Sequence, residues 1–344
     1  MLPGRKRIIA VVALAVVVAG GYGAARLLAQ SKLRRSVENG LETAGLAETV
    51  SVGSYRVEPL SGRVRLSDLR VKEDGTEGWR AEAVDVERFE SSPKAKVLTA
   101  RLVGLRFAFA DWIRTCKESR KLCPLAEQSR DMVAQGIDEI VGDFDLDYRM
   151  DEAAKRFRLT SRLHLRDYMD VGMRLDVGGL DTAAFREIGG WIGDAGRAGI
   201  PPMLLGLALV QGIGKVAEKI ELNEAAFAVT DRGMMRIRTR TEAKAAGDTR
   251  PEDEILHERI AALQADLRGA AGDLLPAALR EQMAAALPGF AFAGKPLRIG
   301  TKVEAPVVLL RRTGGTNALE PGPAMTDIDA AVSALGLGVG NAPL

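Results

Sequence analysis

The stretch "VGDFDLDYRMDEAAKRFRLTSRLHLRDYMDVGMRLDVGGL", residues 141–180, alternates apolar with charged side chains through three runs. Phe144, Leu146 and Tyr148 fall in one row, and the aspartates between them fall in the other. A period of two is typical of a strand that buries one face and exposes the other. We therefore predict three strands in an antiparallel meander, because short turns join neighbouring strands in opposite directions.

A turn over residues 151–154 would also determine how the first two of these strands pair. It places Leu146 opposite Leu159 on the apolar face and Asp147 opposite Arg158 on the charged face. Opposite charges across neighbouring strands contribute about 0.2–1 kcal/mol per pair. Since only the apolar row can be buried, the hydrophobic pattern and the charges specify the same register.

The same alternation predicts further strands along the chain. They cover residues 51–60, a run that begins at Val64, and residues 79–89, 96–112, 220–231 and 296–310. In the run from Val64 the register shifts near Asp68, so that Leu69 and Val71 take over the buried face.

Helical spacing of apolar residues predicts helices over residues 182–193, 202–219 and 251–289. Because strands and helices do not alternate, the pattern indicates an α+β protein and not a parallel α/β protein. The predicted fold is an N-terminal transmembrane helix followed by a curved antiparallel β-sheet with helices packed on it. One domain covers residues 48–312, and residues 313–344 form a mostly flexible tail with one short helix near residues 327–335.

The transmembrane helix is predicted from the N-terminal sequence. Between Arg7 and Arg26 lie 18 uncharged residues, "IIAVVALAVVVAGGYGAA". At about 1.5 Å per residue they span roughly 27 Å, close to the thickness of the hydrocarbon core of a bilayer. Residues 1–30 are therefore predicted to be a signal anchor. Its apolar residues include Ile8, Val11, Leu14 and Val17.

A cleaved secretory signal is the alternative, since "GAA" before Arg26 is an acceptable cleavage site. Leu33, Val37 and Leu41 recur every four residues, which predicts that a helix continues over residues 31–47 and favours the uncleaved form. Basic residues before the apolar segment favour a cytoplasmic N-terminus. The chain is then a single-pass protein of a bacterial inner membrane, with its bulk in the periplasm.

Two cysteines, Cys116 and Cys123, have a spacing that fits neither a standard zinc site nor a thioredoxin motif. In an oxidising periplasm we predict a disulfide between them. Closing so short a loop contributes roughly 2–3 kcal/mol in the chain-entropy account. If the bulk of the chain faced the cytosol both would be free thiols, so their redox state tests the topology.

Charge and motifs favour few kinds of chemistry. Forty-eight basic residues against 46 acidic ones are interspersed along the chain, which predicts no nucleic-acid partner. His164 and His257 lack the spacing of a zinc site or a catalytic triad. Asp143, Asp145 and Asp147 lie about 7 Å apart on one strand face, so pairing with arginines is favoured over a metal site. We predict a non-enzymatic protein without a cofactor or metal.

The apolar rows of the strands are the remaining candidate for a functional surface. Alternation in residues 96–112 places Val97, Arg101 and Phe107 in one row. The residues of a predicted apolar groove are Phe107, Phe109, Phe144, Leu146, Tyr148 and Leu159. Such a face can be packed under the chain's own helices. Alternatively, a strongly twisted sheet can leave it open for an acyl chain or a partner.

The first third of the chain resembles the start of AsmA-like envelope proteins of the repeating β-groove type. The segments "VSVGSYRVEPLSGRVRLSDLRV", "AEAVDVERF" and "LTARLVGLRFAF" follow the predicted anchor, as strands follow a single-pass helix in that family. The family pattern falls on Pro59, Gly62, Val64, Leu66, Asp68 and Leu69. The resemblance covers about residues 1–110. It implies a role in moving or restraining phospholipids along a β-groove, and it implies no catalytic residues.

The leading hypothesis is a membrane-anchored periplasmic protein that holds lipid or another apolar chain on its sheet and acts in envelope maintenance. The alternative is a scaffold or assembly subunit of an inner-membrane or envelope complex, which would use the same sheet against protein. A hydrolase is the third hypothesis, and loss of activity on mutation of His164 or His257 would favour it.

Overall fold

The structure is a computed structural model of the 344-residue chain. It describes residues 30–43, 47–48, 50–57, 63–73, 76–92, 95–108, 133, 137–180, 219–269, 276–312, 319–321 and 328–344. The backbone forms two compact units, one of residues 1–156 and 180–216, the other of residues 157–179 and 217–344. The predicted anchor, Ile8 to Ala25, lies outside the described residues.

The first unit consists of one described helix and five strands. They are α1 (Gln30–Thr43), β1 (Val50–Val57), β2 (Val64–Glu73), β3 (Thr76–Ser91), β4 (Ala95–Ala108) and β5 (Glu139–Asp151). Each strand pairs with the next one in antiparallel orientation, so the sheet order follows the sequence. Short connections join β1 to β4 in turn, and period-two alternation along the strands produces the antiparallel meander that the sequence predicted.

Strand β2 changes its buried face at Asp68, as the sequence predicted. Leu66 and Leu69 are both 0% exposed although they lie three residues apart. Asp68 has a φ of 54°. This left-handed conformation moves the side chains that follow it to the opposite face of the strand, while the register with β3 stays the same on both sides of Asp68. Aspartate adopts this conformation more readily than most residues because its short polar side chain can bond locally.

A second switch of this kind lies in β4 at Gly104, which has a φ of 62°. The pairing of β4 with β5 shifts by one residue between Leu102 and Leu105, so Gly104 forms a β-bulge. A Cβ at Gly104 would lie 2.5 Å from Cδ of Glu82, so only glycine fits without displacing that side chain.

The prediction for the row of β4 was therefore wrong. Leu98, Ala100 and Leu102 are buried in the core cluster of the first unit, whereas Arg101 is exposed on the opposite face. The sequence placed Arg101 in the same row as Phe107 because strict alternation cannot register the extra residue at Gly104.

Helix α1 covers the apolar face of this sheet. Its side chains Leu33, Val37 and Leu41 are 0%, 0% and 4% exposed, and they belong to the same core cluster as Leu66 and Leu69. The four-residue spacing places all three on one side of the helix. α1 occupies most of the segment for which a helical extension was predicted, and it ends at Thr43.

The second unit holds the remaining described strands and helices. They are β6 (Arg156–Leu165, apart from its first residue), β7 (Met169–Gly178), β8 (Lys219–Asp231), α2 (Met234–Ala246), α3 (Glu252–Gly269), α4 (Ala277–Ala293), β9 (Leu297–Gly300), β10 (Val307–Arg312), β11 (Leu319–Pro321), α5 (Ile328–Leu335) and β12 (Gly338–Gly340). All pairings are antiparallel. β6 pairs with β7, β7 with β8, and β8 with both β9 and β10. β11 pairs with β10, and β12 pairs with β9.

Three features of the second unit differ from the sequence prediction. Helix α2 was not predicted, because its residues "MMRIRTRT" alternate as a strand would. The predicted strand over 296–310 is two strands, β9 and β10, which pair with different parts of β8. In the C-terminal segment, predicted to be mostly flexible, strand β12 was not predicted, whereas α5 confirms the short helix predicted near residues 327–335.

The fold is thus α+β and dominated by antiparallel strands. Among the helices that the structure describes, none has the length and apolar character needed to cross a membrane. The predicted single domain over residues 48–312 stays a prediction, since compactness alone divides the chain into the two units above.

Burial of α1 gives a first test of the fold. Leu33→Ala should lower the free energy of unfolding by about 2–5 kcal/mol, because Leu33 is fully buried against the sheet and its loss leaves a cavity. Arg35→Ala on the exposed side of the same helix should change it by about 0.5 kcal/mol or less. Urea unfolding monitored by circular dichroism measures both, and equal effects would contradict the packing of α1.

Candidate functional site

The predicted groove residues of β5 lie directly opposite the buried row of β4. Tyr148, Leu146 and Phe144 pair with Leu98, Ala100 and Leu102 in the antiparallel register. Their side chains are half-buried and pack against the core cluster of the first unit. This part of the predicted groove is therefore an extension of the core at the β5 side of the sheet.

The phenol of Tyr148 reflects this packing, since burial raises its pKa above the usual value. Its hydroxyl lies 3.9 Å from Sδ of Met150, a residue that is 1% exposed. Of the other predicted groove residues, Phe107 lies beyond the bulge at Gly104 and pairs with Ile140. Phe109 lies outside the described residues.

The aspartate row of β5 forms ion pairs with β4 on the opposite face. Arg101 contacts Asp143 at 3.2 Å and Asp145 at 3.5 Å. Asp143 also accepts a hydrogen bond from the backbone N–H of Gly104 at 2.8 Å, and Asp147 accepts one from the hydroxyl of Thr99 at 2.9 Å. These carboxylates are already satisfied by protein donors. Within the described part of the chain no cluster of ligands suited to a metal ion occurs.

The second unit presents an apolar sheet face that we call the Met173 face. Its residues are Phe157, Leu159, Ser161, Leu163 and Leu165 of β6, Met169, Val171, Met173, Leu175 and Val177 of β7, Leu222, Ala225, Phe227, Val229 and, at one end, Asp231 of β8, and Leu297 and Ile299 of β9. They share one side because alternate residues of paired strands point the same way. Leu159 is the one predicted groove residue on this face.

Met173 and Phe227 lie at the centre of the Met173 face and are its most exposed members. They are directly opposite one another in the register and remain 36% and 45% exposed. On either side of them Ser161 and Ile299 complete a row across four strands. Fully burying such side chains normally contributes about 1.5–3 kcal/mol each, so their exposure in the middle of a sheet calls for a reason.

Of the helices that the structure describes, α3 and α4 pack on one end of the Met173 face. Val229 and Leu297 pack against a core cluster that includes Leu256 and Ile260 of α3 and Phe290 of α4. At the same end the carboxylate of Asp231 accepts hydrogen bonds from the backbone N–H groups of Gly233 and Met235, which begin the turn into α2. Met173 and Phe227 lie farther along the strands and are not part of this cluster.

The opposite side of the same strands carries the charged residues. Arg158 contacts the largely buried carboxylate of Asp176 at 3.1 Å, and Arg174 contacts Glu224 at 3.2 Å. The position of Arg158 opposite Asp147 stays a prediction. Pairing within the charged side leaves the Met173 face without a charged residue between Ser161 and Ile299.

The two histidines lie in ordinary surface environments. His164 hydrogen-bonds through Nδ1 to Asp170, whose carboxylate also contacts Arg232 at 2.7 Å. The ring of His257 stacks on Phe292 with centroids 4.1 Å apart. The predicted disulfide residues, Cys116 and Cys123, lie outside the described residues.

Met173 and Phe227 are the functional candidates that the sequence analysis did not select. Both were placed in predicted strands, and their alternation with polar residues indicated the correct face. The missing information was which part of that face the helices leave uncovered, because this depends on where α3 and α4 pack and not on the local pattern.

No protein-family model matches this chain, and no curated protein matches it.

Burial of Tyr148 predicts a dependence of stability on alkaline pH. The folded state favours the neutral phenol, so this contribution is complete below the usual phenol pKa of about 10 and is lost as the pH rises through the raised folded value. Tyr148→Phe should therefore reduce the fall in urea midpoint between about pH 8 and pH 11. Burial also raises the pKa of Tyr55 and Tyr168, so part of the fall should remain.

Phe144→Leu, on the same face of β5, serves as the control. Because it removes no titratable group, it should shift the urea midpoint equally at both pH values. If Tyr148→Phe leaves the pH dependence of the wild type unchanged, Tyr148 is open to solvent and the β5 side of the sheet is a groove.

Proposed function

We propose that this protein binds lipid, or another molecule with a long apolar chain, on the Met173 face. The observation that supports this most directly is the exposed pair Met173 and Phe227 at the centre of a sheet face made of apolar side chains. Soluble domains seldom leave a contiguous apolar sheet surface uncovered unless something binds to it. The half-buried neighbours Leu163, Val171 and Leu175 widen this surface along the strands.

The chemistry of the face favours an acyl chain as the ligand. Burial of each CH₂ group contributes about 0.8 kcal/mol, so a chain laid along the strands gains affinity in proportion to its length. Along β6–β8 the polar residues of the face are Asp231, at the end where α2 begins, and Ser161, whose neighbours across the strands are Met173 and then Phe227. A charged headgroup would have to lie beyond the edges of the face, because burying an unpaired charge is costly.

We propose further that the chain is anchored in a bacterial inner membrane with its bulk in the periplasm, as an AsmA-like envelope protein. The supporting observation is the uncharged segment from Ile8 to Ala25, which is long enough to cross a bilayer. Anchoring would keep the Met173 face near a source of lipid. The role that we propose is non-enzymatic and consists of lipid handling or envelope maintenance.

A scaffold subunit is the second candidate function, and the packing of the first unit favours it. There α1 fills the apolar face, and Phe144, Leu146 and Tyr148 pack on the core cluster. The apolar face of the first unit is covered and has no room for an acyl chain. The charged side of the same sheet is free to contact another protein. Under this alternative the Met173 face would bind a partner subunit.

Lipid binding predicts that the full-length protein carries lipid when it is purified under mild conditions. Native mass spectrometry should detect bound lipid, and Met173→Ser with Phe227→Ser should reduce the bound fraction by more than half. Both side chains are partly exposed, so these substitutions should change the free energy of unfolding by only about 1 kcal/mol. The change in binding should therefore occur without loss of the fold.

Leu263→Ser is the matched control, because Leu263 is also exposed, at 38%, but belongs to α3 and not to a strand of the Met173 face. It should leave the bound lipid unchanged. Identical spectra for native and delipidated wild-type protein would exclude the lipid proposal. A stoichiometric protein crosslinked at position 227 would favour the scaffold function instead.

The membrane anchor predicts that the protein stays in the membrane fraction after washing with alkaline carbonate. Val11→Arg with Leu14→Arg should release it or prevent insertion, since an arginine near the centre of a spanning helix costs about 2.5–3.5 kcal/mol. Ala29→Arg, which lies beyond the apolar segment, is the control and should have no effect. Cys116 and Cys123 should react with a maleimide only after reduction, and labelling without reductant would contradict a periplasmic location.

A further inference from the structure

Met173 is the methionine whose thioether is most open to solvent in the part of the chain that the structure describes. Its side chain is 36% exposed, whereas Met150 and Met235 are 1% and 8% exposed. The other described methionines are half-buried, and they are Met169, Met234 and Met283. Oxidation of a methionine requires that the oxidant reach the sulfur, so exposure makes Met173 the most susceptible of them.

The neighbours of Met173 across the strands determine what an oxidised side chain would meet there. Ser161 of β6 and Phe227 of β8 lie directly opposite Met173 and point to the same side of the sheet. Such opposite residues have Cβ atoms about 4.5–5.5 Å apart, within reach of a methionine side chain. The hydroxyl of Ser161 has no hydrogen-bond partner among the described residues. It can therefore donate to an oxygen atom carried by the sulfur of Met173.

We propose that Met173 is the site at which peroxide modifies this protein, and that its sulfoxide weakens the binding of an acyl chain. The lone pair of the sulfur attacks one oxygen of hydrogen peroxide, and the O–O bond breaks as the S–O bond forms. The leaving hydroxide takes the proton of the transferred hydroxyl group and departs as water. The sulfur is oxidised by two electrons, and the peroxide is reduced by the same two electrons.

The effect on binding rests on the proposed function, because an acyl chain on the Met173 face would contact Met173 and Phe227. A sulfoxide replaces an apolar thioether by a strong hydrogen-bond acceptor, and covering a polar group with hydrocarbon is unfavourable. A hydrogen bond from Ser161 would hold the sulfoxide oxygen on the face. Because a bound chain would in turn shield the sulfur, ligand and peroxide compete for the same surface. Methionine sulfoxide is reduced back to methionine by dedicated reductases, so the modification is reversible.

Peptide mass spectrometry of the delipidated full-length protein, after graded exposure to hydrogen peroxide, tests the site of modification. The sulfoxide of Met173 should form about tenfold faster than those of Met150 and Met235, since the latter two sulfurs lie in buried side chains. It should also form ahead of the sulfoxides of the half-buried methionines. Equal rates at Met173 and Met150 would overturn the proposal, whatever the protein binds.

A photoreactive diazirine derivative of stearic acid tests the effect on binding, through the amount that crosslinks to the peptides of β7 and β8. Peroxide should lower this labelling of the wild-type protein by about tenfold, because the sulfoxide is polar. Met173→Leu cannot form the sulfoxide, so peroxide should leave its labelling at its own untreated value. Met173→Gln places a polar group on the face without peroxide, and its labelling should be low before any treatment.

Met283→Leu is the matched control, because Met283 is half-buried on α4 and does not belong to the Met173 face. Peroxide should lower the labelling of this variant as much as that of the wild type. An equal loss of labelling in Met173→Leu would overturn the proposal, since another residue would then cause the effect. Absence of labelling in the untreated wild type would exclude the proposed lipid function, and the oxidation rates would still decide whether Met173 is the modified residue.

Discussion

The separation of apolar from charged side chains across each strand is the constraint on which both units depend. Leu66 is fully buried while its neighbour Arg65 is exposed and pairs with Asp85 on the other side. Shifting a strand by one residue would bury every arginine and expose every leucine, so the register tolerates no slippage. Each unit then needs helices on one face only, and α1 in the first unit and α3 with α4 in the second supply them.

Period-two alternation was enough to predict the strands, but not all of their faces. The switch at Asp68 could be predicted because apolar residues changed parity within one short segment. The bulge at Gly104 could not, because Arg101 and the phenylalanines after it happen to keep one parity. The physical cause is one extra residue in β4, which the strand accommodates at Gly104 because a glycine can adopt a positive φ.

The candidate site was only partly predictable for a related reason. Local pattern identifies which side chains of a strand are apolar, but covering them is a tertiary event. In the first unit the predicted groove residues Phe144 and Leu146 extend the core, whereas in the second unit Met173 and Phe227 stay open. Helix α2 escaped prediction because its buried residues, among them Met235 and Ile237, lie two apart.

Helix α1 has a mechanical consequence for whatever precedes it in the chain. Its buried stripe, Leu33 to Leu41, begins three residues after the helix starts at Gln30. A pulling force applied before Gln30 would therefore act directly on the hydrophobic core of the first unit, because only three residues separate the start of the helix from Leu33. Extraction of α1 would peel one side chain at a time from the sheet, so tension and unfolding of the first unit would be coupled events.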